Sequence, residues 1–210
     1  MSGAAHIIIG TPVVGTDSPL GHVQRVIIDP DARTITHLAV EPAHSRAGGR
    51  LVPIGLVDAV ANEIRLRCSR EEFLCLPLSD VTEIVGPGNV RFLYDAGTPT
   101  PFPMGGVQRG FSDGLVVHKE VSDIVPAGEV EAHRNEPLYT TDGMIGSVQG
   151  FSVDLAANKV THVLLAEGLP WGTKLVAIPM GEVTTMEGGI GVRLTRQQVK
   201  DLPVADLHQA

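Results

Sequence analysis

The sequence is poor in aromatic residues and in cysteine, and both shortages limit what the chain can be. Phe, Trp and Tyr make up 4% of the 210 residues, so a hydrophobic core must be built mainly from Val, Ile, Leu and Ala. The two cysteines, Cys68 and Cys75, are too few for a disulfide framework or, on their own, for a zinc site. They are separated by a predicted short helix, and we expect them to be reduced thiols.

A surplus of basic charge and long apolar runs are absent too. The net charge is −8, and each of the stretches 1–80, 81–128 and 129–210 holds more Asp and Glu than Lys and Arg. Direct nucleic-acid binding is therefore disfavoured, except through a ribosomal or other complex. No stretch approaches the roughly 20 apolar residues of a membrane span, and the N-terminus lacks the pattern of an export signal. We expect a cytoplasmic protein that makes no membrane contact.

The sequence repeats itself. Residues 12–41 match residues 137–166 at a constant offset of 125, and residues 64–70 match 190–196 at an offset of 126. The matched positions include Pro12 and Pro137, Asp17 and Asp142, Gly21 and Gly146, Asp29 and Asp154, and His37 and His162. Agreement in this order predicts a tandem duplication.

Each copy is predicted to be mostly β-structure. The 24 glycines and 15 prolines favour short strands joined by turns. Ser69 with Glu72, and Thr195 with Gln198, have the spacing of a capping box at the start of one short helix per copy. We therefore predict an all-β fold of two small barrels, each ending in a short helix. Closure into a barrel removes exposed strand edges, and a pseudo-twofold arrangement of the two barrels would bury further surface.

The predicted domain limits follow from this repeat. Residues 1–78 form the first barrel, residues 79–128 a Pro/Gly-rich linker and residues 129–210 the second barrel. Within the linker, Asp80 to Val85 and Val90 to Tyr94 are predicted to be extended. Residues 95–114 are predicted to lack regular structure.

Several motifs of the repeat resemble the PRC-barrel family, which is named for the photosynthetic reaction-centre H subunit. These motifs are the G-x-V after an Asp-led turn, V-T-H-V-L-L at 160–165, L-V-A-I-P at 175–179 and E-G-L-P-W-G at 167–172. The resemblance covers roughly residues 6–77 and 130–203 and is similar to that of tandem bacterial members. It implies a barrel fold and docking onto other macromolecules, and it implies no reaction.

We therefore expect a non-catalytic adaptor that binds a protein partner, with homo-oligomerisation also open. Trp171 is the leading contact candidate because it is the single tryptophan and lies in a Gly/Pro-rich segment. Glu167 and Lys174 flank it, and Phe102 in the linker is a second candidate. The alternative for Trp171 is that it folds back over its own barrel.

A sensor that binds a small ligand or a metal is the first alternative function. His37 and His162 occupy equivalent positions, and Glu41 and His44 follow His37. These spacings do not suit a compact site on one strand, where alternate residues share a face, and structural histidines explain them as well. An uncharacterised enzyme is a further alternative, although no nucleophile elbow or phosphate-binding loop is recognisable. We expect no cofactor.

Overall fold

The described residues form an all-β fold, as predicted. The computed structural model describes residues 5–43, 48–86, 90–94, 118–167, 174–186 and 188–203. Elements of the first half are β1 (Ala5–Ile8), β2 (Pro12–Val14), β3 (Pro19–Asp29), β4 (Thr34–Pro42), β5 (Arg50–Pro53), β6 (Val57–Val60), β7 (Ile64–Leu66) and α1 (Arg70–Leu74). Those of the middle are β8 (Asp80–Gly86), β9 (Val90–Tyr94) and β10 (His118–Asp123). Those of the second half are β11 (Val130–His133), β12 (Pro137–Thr140), β13 (Gly143–Asp154), β14 (Lys159–Glu167), β15 (Lys174–Pro179), β16 (Val183–Thr185), β17 (Ile190–Val192) and α2 (Arg196–Lys200).

The strands of both halves belong to one curled sheet, and the middle strands form a separate antiparallel sheet in the order β10-β8-β9. Extended structure at 80–85 and 90–94 is thus confirmed. The strand β10 was not predicted from the sequence. Residues 95–114, which were predicted to be irregular, lie outside the described residues. The domain limits at 78 and 129 stay predictions.

The repeat in the sequence is also a repeat of backbone pairing. In the hairpin of β3 and β4, Val26 lies opposite Leu38. In the hairpin of β13 and β14, the positions 125 residues later are opposite one another, Phe151 and Val163. Both long strands contain a β-bulge at the same point, at 23–25 and at 148–150. The duplicated segments therefore share register and irregularities as well as residue types.

The two halves exchange their first strands. The strand β1 pairs with β13 of the second half, and Ile7 lies opposite Phe151. The strand β11 pairs with β3 of the first half, and Ala132 lies opposite Val26. These two pairings are related by the same offset of 125, so the exchange is reciprocal. We name the two junctions the β1–β13 seam and the β11–β3 seam.

A left-handed turn after each exchanged strand returns the chain to its own half. Gly10 has a φ of 102° and Asn135 a φ of 65°, a region that glycine and asparagine tolerate better than other residues. The N–H of Gly10 donates to the carbonyl of Val23, and that of Asn135 donates to the carbonyl of Val148, at 2.8 and 2.9 Å. Each turn is thereby attached to the chain's own long strand directly after the first strand has paired with the other.

The exchange gives the two halves a common hydrophobic core. One continuous cluster of buried side chains contains Ile7, Val26 and Leu38 together with Phe151 and Val163. The cluster is mainly aliphatic, as the low aromatic content predicts. Because close-packed aliphatic side chains fit only one register, burial on both sides of each seam stabilises the exchange.

The repeated glycine after the Asp-led turn allows two strands to approach closely. A Cβ atom added to Gly21 would overlap the backbone carbonyl of Glu41, and one added to Gly146 would collide with the carbonyl of Ala166. Both glycines precede the bulge in the long strand of their half. The sequence motif therefore marks a backbone contact that tolerates no side chain.

Both capping boxes are confirmed. The side chains of Ser69 and Thr195 accept the N–H of the third helical residue, and the side chain of that residue accepts the N–H of the cap. Asp142 adds a bond that turn formation alone does not explain, because its carboxylate accepts the N–H of Arg196 at 2.9 Å. Asp17 makes the matching bond to Arg70 at 3.0 Å. The repeated aspartate thus joins the first hairpin of each half to its terminal helix.

The strand exchange predicts which residues lose protection when a substitution weakens β1. Ile7 is fully buried, so Ile7→Ala should lower the free energy of unfolding by about 2–5 kcal/mol. Amide hydrogen exchange should accelerate at residues 150–153 of the second half more than at residues 25–28. Ile8→Ala, at a partly exposed position of the same strand, is the control and should have the smaller effect. Faster exchange mainly at residues 25–28 would contradict the exchanged topology.

The aspartate–helix contact predicts a pH effect. The N–H of Arg196 and the hydroxyl of Thr140 lower the pKa of Asp142. A lowered carboxyl pKa contributes stability that is present above the unfolded value of about 3.9 and is lost as the pH falls through the folded value. The free energy of unfolding should therefore depend less steeply on acidic pH in Asp142→Asn than in the unchanged protein. Urea unfolding at a series of pH values measures this slope. Asp31→Asn, at an exposed position, should leave that slope unchanged, and an equal change in both variants would contradict the assignment.

Candidate functional site

A cleft lies where the exchanged strand β11 borders the second half. Its volume is about 420 Å³. The lining residues are Val125, Glu129, Val130, Glu131, His133, Glu136, Met186 and Gly188. Three carboxylates and an imidazole thus share one concavity with apolar side chains. We name it the acidic cleft.

The position of β11 explains why these charged side chains come together. Side chains of an extended segment alternate between two faces, so Glu129, Glu131 and His133 fall on the same side. The opposite side carries Ala132, which is buried in the common core. The exchanged strand therefore buries its small apolar residue and directs its charged residues into the cleft.

A buried arginine anchors Glu131. Arg25 is 1% exposed, and its guanidinium donates to the Glu131 carboxylate at 3.2 Å and to the carbonyl of Ser79 at 2.7 Å. Arg25 lies at the bulge at 23–25, where the regular alternation of faces along β3 is interrupted. This contact ties the exchanged strand to the segment that leaves the first half.

Glu129 contacts the return strand β4. Its carboxylate accepts the hydroxyl of Thr36 at 2.6 Å, and the Nδ1 atom of His37 lies 3.7 Å from it. His37 is partly buried, with 28% of its side chain exposed. The histidine proposed as a ligand from the sequence therefore lies beside a residue of the acidic cleft, and Glu129 was not among the predicted site residues.

Glu136 and His133 complete the polar wall. The Nε2 atom of His133 lies 3.2 Å from Glu131, and the backbone N–H of His133 donates to Glu136 at 3.1 Å. Burial raises the pKa of Glu136, with the negative charge of Glu131 acting in the same direction, while the N–H of His133 acts against them. A carboxylate that loses hydration in this way gains from a cationic partner.

The acidic cleft belongs to one half of the repeat. The residues equivalent to Glu131, His133 and Glu136 in the first half are His6, Ile8 and Thr11. Because the backbone pairing is the same at both seams, the fold does not require these carboxylates. The charge of the cleft is an addition to the shared architecture.

The structure separates the other predicted site residues. Trp171, Phe102 and His44 lie outside the described residues. Glu167 and Lys174 are opposite one another at the ends of β14 and β15, which places both beside the segment that contains Trp171. Their roles in binding stay predictions.

The predicted histidine sites also separate. Glu41 is exposed on β4, four residues beyond His37, while His162 lies in the second half on β14. In the part of the chain that is described, no three His, Cys, Asp or Glu side chains converge as a metal site would require. The ligand set predicted around His37 includes His44, which lies outside the described residues, so it stays a prediction.

The described helices are short. None of them is both long enough and apolar enough to cross a membrane.

The Arg25–Glu131 pair predicts an asymmetry between two substitutions. Glu131→Ala should cost stability near the lower end of the roughly 3–5 kcal/mol for breaking a buried pair, because Glu131 keeps 25% of its side chain exposed. Arg25→Met removes the buried charge and fills similar volume, so it should cost less. Urea unfolding of both variants measures this difference. A larger loss in Arg25→Met would contradict the role given to the pair.

Comparison with known proteins bears on the first half of the chain. Residues 3–72 match the PRC-barrel domain family. None of the curated proteins matches the chain. The matched range contains β1, the hairpin of β3 and β4, and the start of α1. Three of the four motifs on which the sequence resemblance depends lie at 160–179, outside this range. Residues 3–72 are therefore a PRC-barrel domain.

Proposed function

We propose that this chain is a non-catalytic adaptor of two PRC-barrel units, and that a protein partner inserts a basic side chain into the acidic cleft. The repeated strand pairing at an offset of 125 supports the assignment of the second unit. The observation that carries the function is the cleft itself, in which three carboxylates adjoin apolar side chains.

Charge complementarity supports a basic partner. Arg25 offsets one of the three carboxylates by direct contact, and Glu129 and Glu136 accept hydrogen bonds from uncharged groups. A lysine or arginine of the partner would supply the missing positive charge, and apolar residues beside it would cover Val125, Val130 and Met186. The whole chain is acidic as well, which favours approach of a basic surface.

The composition of the cleft also supports binding over catalysis. Among the described residues, its lining contains no serine, threonine or cysteine that could act as a nucleophile. The metal-binding sensor is not proposed, because the described residues bring no ligand set together around His37 or His162.

Zero-length carbodiimide crosslinking tests the proposal, because it joins carboxylates to neighbouring lysines. Affinity capture of the native protein from its own cells should recover a partner whose lysine is crosslinked to Glu129 or Glu136. The combined change Glu129→Gln and Glu136→Gln should weaken binding of that partner at least about tenfold, since each change removes an attraction at a partly desolvated site.

Asp31→Asn with Glu71→Gln is the matched control, because it removes the same charge at exposed positions. This control should bind like the unchanged protein. Equal weakening in both double variants, or crosslinks that avoid the cleft, would contradict the proposal. If Trp171→Ala abolishes binding while the cleft variant does not, the contact surface is the one predicted from the sequence around residues 167–174.

A further inference from the structure

The two exchange seams differ in the chemistry of one row of residues. At the β1–β13 seam, His6 lies opposite Ser152, which in turn lies opposite His162 on β14. At the β11–β3 seam, the equivalent row is Glu131, Ile27 and His37. The same backbone geometry therefore places two histidines in one row and a histidine with a glutamate in the other.

In the row of His6, Ser152 and His162, both histidines lie within hydrogen-bond distance of a hydroxyl group. The Nδ1 atom of His6 and the Oγ atom of Ser152 lie 2.9 Å apart, and Ser152 is 2% exposed. The Nδ1 atom of His162 lies 3.1 Å from the hydroxyl of Thr161. Neutral imidazoles satisfy both contacts. Two positive charges in this row would face each other across a buried hydroxyl.

The surroundings supply little compensation for such charges. Charged groups on the elements that pack around this row are Asp58 on β6, Asp154 on β13, Lys159 on β14, Arg33 before β4 and Glu182 after β15. Asp58 is paired with Arg67, and Asp154 accepts a backbone N–H from Ala156. Among the described residues, no carboxylate lies within ion-pair distance of His6 or His162. Glu167 and Lys174 end their strands five positions from His162 and its partner, about 17 Å away.

The other seam has the opposite electrostatics. His37 lies beside Glu129, and Glu131 contacts both Arg25 and His133. Protonation of His37 or His133 there places a positive charge next to a carboxylate. Acid therefore adds an attraction at the β11–β3 seam and a repulsion at the β1–β13 seam.

We infer that mild acidification selectively loosens β1 from β13, because a positive charge on His162 lies in the same row as His6 in a seam without compensating carboxylates. The pairing of β1 with β13 is thus sensitive to acid, whereas the pairing of β11 with β3 is retained. This acid-sensitive seam is separate from the acidic cleft, which lies at the other seam.

The pKa of His162 and the pKa of Glu136 are both shifted in the direction that the inference requires. Burial, and then the proximity of His6, lower the pKa of His162. The folded chain therefore binds this proton less readily than the unfolded chain, so stability is complete above the ordinary imidazole value of about 6.5 and declines as the pH falls below it. Burial raises the pKa of Glu136 beside the other seam, so the folded state there gains relative stability on acidification.

Amide hydrogen exchange of the full chain at about pH 7.5 and about pH 5.5 tests the inference, with rates corrected for the intrinsic effect of pH. Protection of residues 5–8 and 150–153 should fall several-fold on acidification relative to residues 130–133 and 25–28. Equal changes at both seams, or no change at the first, would overturn the inference.

Substitution identifies the groups responsible. His6→Gln with His162→Gln should abolish the selective loss of protection, since glutamine keeps hydrogen-bonding capacity and cannot become charged. His37→Gln, at the position equivalent to His162, should leave the loss unchanged. Persistence of the loss in the first variant would overturn the inference. The comparison of the two seams in the unsubstituted protein decides the question even if that variant folds poorly.

Discussion

Reciprocal pairing of β1 with β13 and of β11 with β3 is the constraint on which the remaining structure depends. A small barrel of some 70 residues buries limited apolar surface by itself. Exchange of first strands lets each half complete the sheet of the other and merges the two interiors into one core. The left-handed turns at Gly10 and Asn135 make the exchange possible within a short connection.

The exchange also determines where charge is placed. Because β11 crosses to the first half, its carboxylates reach Arg25 and Thr36, which lie more than 90 residues away in the chain. The same crossing leaves one side of β11 facing the second half, where Met186 and Gly188 close the acidic cleft. The two equivalent seams differ at a few positions, which place carboxylates in one and two histidines in the other.

Local features of the fold could be predicted from the sequence because local chemistry specifies them. The capping boxes at Ser69 and Thr195 have a fixed spacing that the sequence shows directly. The repeat in Gly21 and Gly146 is also visible in the sequence, whereas their close approach to a neighbouring strand is seen only in the structure. The repeat offset then indicated that both halves share one pattern of pairing. These signals depend on residues that are near one another in the chain.

Strand exchange and the acidic cleft could not be predicted in this way. The duplicated hairpins present equivalent edges, so the residues of β1 fit either one and the sequence does not choose between them. Glu129, Glu131 and Glu136 resemble the solvent-facing charges of an ordinary strand until the crossing of β11 is known. Arginine is ordinarily exposed, and the local sequence does not show that Glu131 of a distant strand and the carbonyl of Ser79 receive the Arg25 side chain.

Long-range backbone NOEs of the full chain in solution test the exchange most directly, because they require no substitution. The account predicts cross-strand NOEs from residues 5–8 to residues 150–153, and from residues 130–133 to residues 25–28. NOEs from residues 5–8 to residues 25–28 instead would show that each half closes on its own first strand. That result would contradict the exchanged topology and, with it, the placement of the acidic cleft.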